Sequence, residues 1–439
     1  MDQALATLYS DHIDTMLQRH RMALQEQGFD WLIIHSGLLR YEFLDDRPVA
    51  HVANPHFRTW VPLPDHAGGA VIVGVTDSAP RLVFLQPRDY WHEVPATPAE
   101  AWARHFDLRA IAASDDIVSH IADLEGRVAV ISDTTAPASV LDAGEHNPQG
   151  LIAHLHWQRA VKTGYEIECM RRANAIAVRG HRAAEQAFRD GASEFDIHIA
   201  YCKACGQDTN TLPYDNIVAL NEHGAILHYT ARENHAPAES RAFLIDAGAS
   251  YNGYAADITR TYSRADDDFA ALIALMDELQ LQICADATAG TDYVSLHRQT
   301  HDRLGLLLED QGLVKCSAEA AVAQGYTRAF FPHGLGHYIG TQVHDVGGHQ
   351  ANIGGDEQPP PPDHPFLRLT RELEAGAVCT IEPGLYIIDM LLEPYARHAD
   401  LDWAAIDRLR PYGGIRIEDD IHVTSNGVEN LTRDQFAAY

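Results

Sequence analysis

The stretch from Arg241 to Thr261, RAFLIDAGASYNGYAADITRT, predicts a β-hairpin on which the rest of the chain depends. An apolar segment ends at Asp246, and Asn252-Gly253 is a two-residue turn with a strong hairpin preference. If the turn lies at this pair, the residue numbers of any two facing residues add up to 505, the sum of 252 and 253. Strand side chains alternate, so Asp246 and Asp257 fall on the same face as diagonal neighbours.

Two carboxylates placed in this way repel each other, and a divalent cation between them relieves the repulsion. A pair of solvated acids at the end of a hairpin is the alternative. The hairpin alone leaves both interpretations open.

The composition indicates a globular protein of two domains with a sizeable core. The chain has 439 residues, of which 46% are hydrophobic, and its 62 acidic against 33 basic residues give a formal net charge of -29. Phosphate groups would be repelled by this charge, so we expect no nucleic-acid partner and no anionic membrane.

The cysteines and the N-terminus point to a reducing compartment. The six cysteines show no disulfide-framework spacing, and Cys202 and Cys205 lack a second pair, so we expect ordinary helix cysteines. The first residues carry acids where a signal peptide needs bases, and no apolar run reaches the length of a membrane span. We therefore expect a cytoplasmic protein.

Alternating strand and helix patterns predict an α/β domain over residues 1–155. Its predicted strands are 31–35, 70–75, 82–85 and 128–132, and its predicted helices are 3–27, 97–106 and 115–124. The turn-rich segment 142–150 reads as a linker. The polar stretch 40–60 is either a lid or interface, or a plain surface loop.

The second predicted domain, residues 156–439, mixes helices with strands. Helices are expected over 164–189 and 267–289 and after the N-cap Ser193, with a strand at 217–220. The Pro-rich tract 358–365 predicts an inserted loop, because proline continues neither helix nor ladder, and 391–410 reads as a second, helical insertion.

Three further segments carry metal-type ligands. Histidines separated by glycines occupy residues 333–344, and Glu382 follows an apolar strand and precedes Pro-Gly. In GGIRIEDDIH, residues 413–422, alternation places Arg416, Glu418 and Asp420 on one face. A plain ion pair between Arg416 and Glu418 is the alternative. The combined set is rich in hard oxygen donors and favours two Mn²⁺ or similar ions; its members are Asp246, Asp257, His337, Glu382 and Glu418.

The sequence resembles the pita-bread metallopeptidases and, within them, the bacterial-type Xaa-Pro dipeptidases. The matching segments are IDAGA at 245–249, DITRTY at 257–262, HGLGHYIG at 333–340, VHDVGG at 343–348, TIEPGLY at 380–386 and GIRIED at 414–419. The resemblance implies an α/β N-terminal domain followed by an α+β pita-bread catalytic domain. It places the family's five metal ligands on the five residues named above, with a hydroxide bridging two ions.

The N-terminal part narrows the resemblance. FLDD at 43–46, NPHF at 54–57 and the Pro-rich insertion are similar to a subgroup that includes organophosphorus acid anhydrolases. The resemblance implies a homodimer in which Asp45 approaches the partner's active site. It also implies phosphotriester hydrolysis as a side reaction.

Further roles follow from the resemblance. Glu382 would shuttle the proton, His344 would stabilise the oxyanion with the metals, and His228 would contact the substrate. His333 and Arg416 would bind the C-terminal carboxylate of the dipeptide, and Tyr214 would line the pocket for its first side chain.

The sequence leaves three rival functions to be weighed. An aminopeptidase P would cleave longer Xaa-Pro peptides, and a non-catalytic relative would only bind peptides or proteins. Metal-free relatives lack some of the five ligands, which this chain retains. Methionine aminopeptidases normally lack the large N-terminal domain.

Overall fold

The structure is a computed structural model that describes residues 1–76 and 78–439. The chain folds into two compact units. The first comprises residues 1–168 together with 352–356, and the second comprises 169–351 together with 357–439.

The first unit is built on a six-stranded mixed sheet, in the order β4-β3-β2-β1-β5-β6. Its strands are β1 Trp31–His35, β2 Ala70–Gly74, β3 Arg81–Leu85, β4 Asp107–Ile111, β5 Val128–Ile131 and β6 Glu145–His146. β2 pairs antiparallel with β1 and β3, whereas the other pairs are parallel. The four predicted strands are confirmed, and β4 and β6 are additional.

The helices of the first unit are α1 Gln3–Gln27, α2 Pro55–Trp60, α3 Val118–Ile121, α4 Ala138–Leu141 and α5 Gln149–Arg159. α1 ends as predicted at Gly28, whose φ of 70° suits glycine. α2 lies inside the stretch 40–60, so this stretch is only partly a loop.

One helix prediction for the first unit was wrong, and a second was only partly confirmed. The helix expected at 97–106 is a 3₁₀ turn at Ala103–His105, and the one at 115–124 is a 3₁₀ turn at Ser114–Ile117 followed by the single turn of α3. Such short segments do not propagate a helix unless packing supports it. The linker at 142–150 contains edge strand β6 and the start of α5, since its turn residues mark tight bends.

Nine further helices follow α5 within the described residues 78–439; the first of them, α6, begins in the first unit and continues into the second, and the other eight lie in the second unit. They are α6 Gly164–Arg189, α7 Glu194–Cys205, α8 Asp268–Asp286, α9 Tyr293–Asp310, α10 Ala318–Ala323, α11 Tyr326–Phe330, α12 Asp389–Leu392, α13 Trp403–Leu409 and α14 Leu431–Ala438. The Ser193 hydroxyl accepts a hydrogen bond from the Asp196 N–H, which confirms the predicted N-cap. The stretch 391–410 is only partly helical, and α9 was not predicted.

The strands of the second unit form four small sheets. They are β7 Ile217–Leu220, β8 Ala242–Asp246, β9 Ser250–Tyr251, β10 Tyr254–Ala255, β11 Thr259–Ser263, β12 Val378–Ile381, β13 Gly384–Tyr386, β14 Gly414–Arg416, β15 Asp419–Thr424 and β16 Gly427–Asn430. The sheet orders are β11-β8-β7, β10-β9, β12-β15-β16 and β13-β14, and every pair is antiparallel. Antiparallel strands combined with long helices give the α+β architecture that was predicted.

The core of the second unit lies between its long helices and the β11-β8-β7 sheet. Phe188 of α6 packs on Phe243 of β8 with ring centroids 5.2 Å apart, and Ile197 and Tyr201 of α7 are fully buried. This packing fixes β8, the strand that ends at Asp246.

Two remaining predictions concern individual segments. Cys202 and Cys205 carry free thiols on α7, as expected for helix cysteines. The Pro-rich tract 358–365 contains no helix or strand, which confirms the loop. None of the helices within residues 1–76 and 78–439 combines the length and apolar character that crossing a membrane requires.

Candidate metal centre

The predicted hairpin and its register are confirmed. Asp246 at the end of β8 faces Thr259 of β11, and Tyr251 faces Tyr254 across the turn, so both pairs fit the expected sum. Asn252 and Gly253 both have positive φ, 51° and 84°, as a type I′ turn requires.

Between the two aspartates, side chains from α6 and α7 add hydrogen bonds to the hairpin backbone. His181 donates from Nε2 to the Ala247 carbonyl at 2.9 Å, and the Tyr201 hydroxyl donates to the Gly248 carbonyl at 2.8 Å. A Cβ on Gly248 would lie 2.1 Å from the Ala256 carbonyl oxygen. Only glycine therefore lets the two strands approach so closely here.

Asp257 is held by groups from distant parts of the chain. Its N–H donates to Asp420 Oδ2 at 3.1 Å, and Tyr214 donates to its Oδ1 at 2.5 Å. Its Oδ2 lies 3.5 Å from His337 Nε2. Burial is the largest influence and raises the pKa of Asp257, but His337, Tyr214 and His344 together lower it by more, so the net shift is downward.

His337 presents one ring nitrogen to the acids and uses the other for support. Its Nδ1 lies 2.9 Å from the Tyr338 carbonyl, so Nδ1 carries the proton and the lone pair of Nε2 faces the acids. Burial alone would lower the pKa of His337, yet Asp257 and Glu382 raise it. Gly336 precedes it at a φ of 159°, where a Cβ would lie 2.1 Å from the Thr380 carbonyl oxygen.

Glu382 stands just beyond the end of β12, as predicted. Its N–H donates to the Leu335 carbonyl at 2.8 Å, and its Oε1 is 3.8 Å from His337 Nε2. Burial raises the pKa of Glu382 to about 7. A carboxyl group with such a pKa can exchange protons near neutral pH.

Glu418 lies in the short break between β14 and β15 and pairs with the hairpin through Thr259. The Thr259 hydroxyl donates to Glu418 Oε2 at 2.7 Å. Burial raises the pKa of Glu418 well above its ordinary value, and Asp257, Glu382 and Asp246 raise it further. The four predicted carboxylates therefore lie together in one buried pocket.

Asp246 forms an ion pair with the guanidinium group of Arg416. Arg416 donates from Nη2 to its Oδ2 at 2.8 Å, while its Oδ1 is buried without a hydrogen-bond partner in the described part of the chain. Burial raises the pKa of Asp246 despite Arg416. The alternative pairing of Arg416 with Glu418 is not the one observed.

These residues fit divalent cations. Ligand atoms of Asp257, His337 and Glu418 lie within 4.8 Å of one another. Four repelling carboxylates, one orphaned carboxylate oxygen and one imidazole lone pair form a mostly oxygen donor set, which suits a hard or borderline divalent cation.

The predicted substrate residues of the second unit line the same pocket. The Tyr386 hydroxyl connects His333 Nε2, at 2.8 Å, with Arg416 Nη1, at 3.1 Å. The ring of His344 lies edge-on to His337 with centroids 4.4 Å apart. Burial lowers the pKa values of His333 and His344, and the exposed His228 lies close enough to contribute to both shifts.

Asp45 belongs to the first unit and lies in an exposed turn. Its N–H donates to the Glu42 carbonyl at 3.1 Å, and the neighbouring Phe43 and Leu44 are each 91% exposed. Its role remains a prediction, as do the individual roles of the other site residues.

Two residues of the centre, Thr259 and Tyr386, were not assigned to it from the sequence, and a third, Asp420, was placed on the correct face without a role. Thr259 follows Asp257 by two residues, so strand alternation could have placed it on the acid face. Asp420 shares the face of Glu418, and it supports the hairpin through the Asp257 N–H. Tyr386 carries no such signal, because its hydroxyl partners lie 53 and 30 positions away.

Comparisons with known proteins agree with this architecture. Residues 7–157 match the family described as the N-terminal domain of Xaa-Pro dipeptidase, and residues 168–425 match metallopeptidase family M24. An Xaa-Pro dipeptidase of Stenotrophomonas maltophilia is 48% identical over 443 residues, covering 100% of this chain and 99% of the relative. One of Xanthomonas axonopodis pv. citri is 48% identical over 440 residues, covering 99% of each.

Among solved structures, the proline aminopeptidase P II of Yersinia pestis is similar with a TM-score of 0.72 and 26% identity, covering 95% of each chain. The predicted α/β N-terminal domain and pita-bread catalytic domain are thereby confirmed. On these matches, the chain belongs to metallopeptidase family M24.

Proposed function

We propose that this protein is an Xaa-Pro dipeptidase in which five residues hold two divalent cations: Asp246, Asp257, His337, Glu382 and Glu418. The observation that carries the proposal is the 48% identity with Xaa-Pro dipeptidases over the whole chain. The convergence of the four carboxylates and His337 on one buried pocket supports the metal part.

When bound, the two cations supply a hydroxide nucleophile at neutral pH and polarise the carbonyl that precedes proline. Glu382 takes up the proton released by the attacking water and delivers it to the proline nitrogen, which must be protonated to leave.

Arg416 and His333 bind the C-terminal carboxylate of the substrate. The Tyr386 hydroxyl lies within hydrogen-bonding distance of both, so it fixes the guanidinium and the imidazole relative to each other. Arg416 pairs with Asp246 in the structure, and its planar guanidinium could bind a carboxylate bidentately if Asp246 were engaged as a cation ligand.

His344, His228 and Tyr214 complete the pocket. Burial lowers the pKa of His344 to about 4, so its imidazole is neutral and donates from N–H to the developing oxyanion. His228 contacts the substrate from the exposed side. The Tyr214 hydroxyl bonds Asp257, which leaves its ring to line the pocket for the first side chain.

We call the pocket formed by the four carboxylates and His337 the acidic centre. A dipeptide is preferred because the groups that bind the substrate carboxylate, Arg416 and His333, lie directly beside this centre. A third residue would replace the charged carboxylate facing Arg416 with a neutral amide. Proline lacks an N–H, so peptidases that bind this group cannot use the same substrates.

The rival is an aminopeptidase P, since solved structures of similar fold carry that name. The match of residues 7–157 to the N-terminal domain of Xaa-Pro dipeptidase favours the dipeptidase. The test compares proline release from Leu-Pro with leucine release from Leu-Pro-Gly, using metal-stripped protein reconstituted with Mn²⁺, Zn²⁺ or Co²⁺. Cleavage of Leu-Pro alone is expected, whereas preferential cleavage of Leu-Pro-Gly would overturn the proposal.

The second rival, a protein that only binds peptides, is tested by metal content. An Xaa-Pro dipeptidase should bind divalent cations and hydrolyse Leu-Pro when reloaded. A correctly metallated protein that bound Leu-Pro without hydrolysing it would favour the rival.

Four finer features belong to the same proposal. The oxygen-rich ligand set favours Mn²⁺, and an electrophilic phosphotriester would be attacked at the same cations as a side reaction. We further propose a cytoplasmic homodimer in which Asp45 approaches the partner's active site. The free thiols of Cys202 and Cys205 are compatible with a reducing compartment, and light scattering in solution tests the dimer.

A further inference from the structure

A second group of potential metal ligands lies outside the acidic centre and consists only of histidines: His297, His301 and His364. Each can offer one ring nitrogen such that the three nitrogens lie within 4.8 Å of one another. We name this group the histidine cluster. We propose that it binds a transition metal ion that prefers imidazole ligands, as Zn²⁺ does. The bound ion connects the Pro-rich loop to α9.

Helix geometry places two of the ligands. His297 and His301 are four residues apart on α9, so their side chains lie on the same face of the helix. Both are buried, with exposed fractions of 1% and 2%. Two histidines at this spacing on a helix are a common pair of zinc ligands.

The Pro-rich loop supplies the third ligand. The prolines at 359–362 restrict the backbone, and the His364 N–H donates to the Pro361 carbonyl at 2.8 Å, which closes a turn. This turn directs Nδ1 of His364 toward Nε2 of His297, at 3.0 Å.

Hydrogen bonding leaves most of the cluster's nitrogens unused. Apart from the His297–His364 contact, Nδ1 of His297 and both ring nitrogens of His301 are buried without a hydrogen-bond partner among the described residues. Buried polar atoms are usually paired, and a core position without a ligand is better filled by an apolar side chain. An ion bound through one nitrogen of each ring supplies a partner for His301, whose two ring nitrogens are otherwise both unpaired.

The outer contacts of His364 also match those of a metal ligand. Nε2 of His364 lies 3.5 Å from Asp363 Oδ2, while Nδ1 faces the cluster. A carboxylate on the far nitrogen orients a ligating imidazole and strengthens its lone pair. Phe331 closes the apolar side of the cluster, with its ring centroid 5.1 Å from that of His301.

The chemistry of the cluster selects the ion. Neutral imidazoles are the donors, Asp363 lies 4.0 Å from Arg298, and the positive charge of Arg328 also acts on His301 and His364. With no net negative charge, the cluster has little attraction for hard cations such as Mg²⁺ or Mn²⁺, whereas Zn²⁺ bonds strongly to imidazole.

The geometry needs only a small adjustment. Zinc–nitrogen bonds of about 2.0–2.1 Å in a tetrahedral site place the nitrogens about 3.3 Å apart. The observed 3.0 Å contact must open slightly, and the other two separations must close from within 4.8 Å. Three imidazoles leave the fourth position for water.

The test counts Zn²⁺ ions per chain after incubation of the metal-stripped full-length protein with ZnCl₂ and removal of free metal. The variants are His364→Asn and His301→Asn, and the matched control is His235→Asn, which changes an exposed histidine. Wild type and control should hold one Zn²⁺ more per chain than either cluster variant. Zn²⁺ should also protect the backbone amides of the non-proline residues within 363–367 from hydrogen exchange in wild type and in the control, but in neither cluster variant.

Two results would overturn the proposal. Equal Zn²⁺ contents in wild type and His364→Asn would show that the cluster holds no ion. The same experiment with MnCl₂ should give equal contents in all four proteins, so a parallel loss of Mn²⁺ would assign the deficit to the acidic centre. Near-UV circular dichroism confirms the fold, and His364→Asn keeps the test valid should His301→Asn fail to fold.

Discussion

Replacing Glu382 with glutamine should stabilise the metal-free protein while abolishing peptide hydrolysis. Without cations, Glu382 shares a buried pocket with Asp246, Asp257 and Glu418, and the four carboxylates repel one another. Glutamine keeps the shape of the side chain and removes one negative charge. The same substitution removes a ligand and the group that moves protons.

The magnitude follows from the pKa of Glu382, which burial raises from 4.5 to about 7. Each pH unit in this interval corresponds to ~1.4 kcal/mol, so the ionised carboxylate costs the folded protein roughly 3 kcal/mol above pH 7. The side chain is 18% exposed, so solvent screens this cost only weakly. For a unit of this size, the corresponding change in Tm is roughly 6 °C.

The sign depends on pH. Because the folded protein binds this proton more tightly than the unfolded chain, the favourable contribution of Glu382 is complete below pH 4.5. It is lost as the pH rises through 7. The advantage of glutamine is therefore greatest above pH 7 and shrinks toward zero as the pH falls to 4.5.

Scanning calorimetry in excess chelator at pH 8.5 and pH 5.0 measures the effect. The control is Glu357→Gln, which removes an exposed carboxylate and should leave Tm unchanged. Saturating Mn²⁺ should reverse the order at pH 8.5, since a cation bound only by the folded protein stabilises it. An equal Tm for metal-free wild type and Glu382→Gln at pH 8.5, or a pH-independent difference, would refute the repulsion on which the reasoning rests.

Three other substitutions test the surroundings of the centre. Thr259→Val removes the hydroxyl that bonds Glu418 and should weaken cation binding by about 10–100-fold in a chelator competition, so unchanged affinity would contradict this role. Tyr386→Phe removes the hydroxyl that bonds Arg416. Because losing one hydrogen bond to a charged group costs about a factor of 10 in binding, KM for Leu-Pro should rise by about 10-fold with kcat nearly unchanged. Gly248→Ala forces a Cβ to within 2.1 Å of a carbonyl oxygen and should lower the thermal stability by more than about 2 kcal/mol, as measured by calorimetry; a stable variant would show that the hairpin yields.

Local rules were sufficient for the hairpin and for the acid face of the last strands. Asn252-Gly253 determined the register, and this register alone placed Asp246 opposite Thr259. Alternation placed Glu418 and Asp420 toward the centre, and the intervening Asp419 instead contacts Arg433.

Long-range contacts set the limit of sequence reasoning. The separation of the Tyr386 hydroxyl from His333 is 53 positions, and no periodicity links two such residues. The pairing of Arg416 with Asp246 spans 170 positions and displaced the local pairing with Glu418. In the first unit, short segments such as 103–105 took their shape from packing, which propensity does not report.

The histidine cluster shows the same limit in a different way. Its helical pair was present at positions 297 and 301, but α9 was not predicted, and His364 lay in a tract that proline content assigned to a loop. Neither segment suggested the other, because only the folded chain brings them within 3.0 Å.

The acidic centre and the histidine cluster differ in how much support they need from surrounding residues. Around Asp257, the hairpin backbone bonds to distant side chains in addition to its own ladder, and these bonds hold mutually repelling carboxylates in place. The neutral cluster needs no such support, since burial and one turn suffice to assemble it. The two sites therefore differ in charge. Repulsion among the carboxylates destabilises the acidic pocket until cations enter it, so cation binding and the stability of the second unit must be linked there. An ion in the histidine cluster instead adds a cross-link to a segment that is already in position.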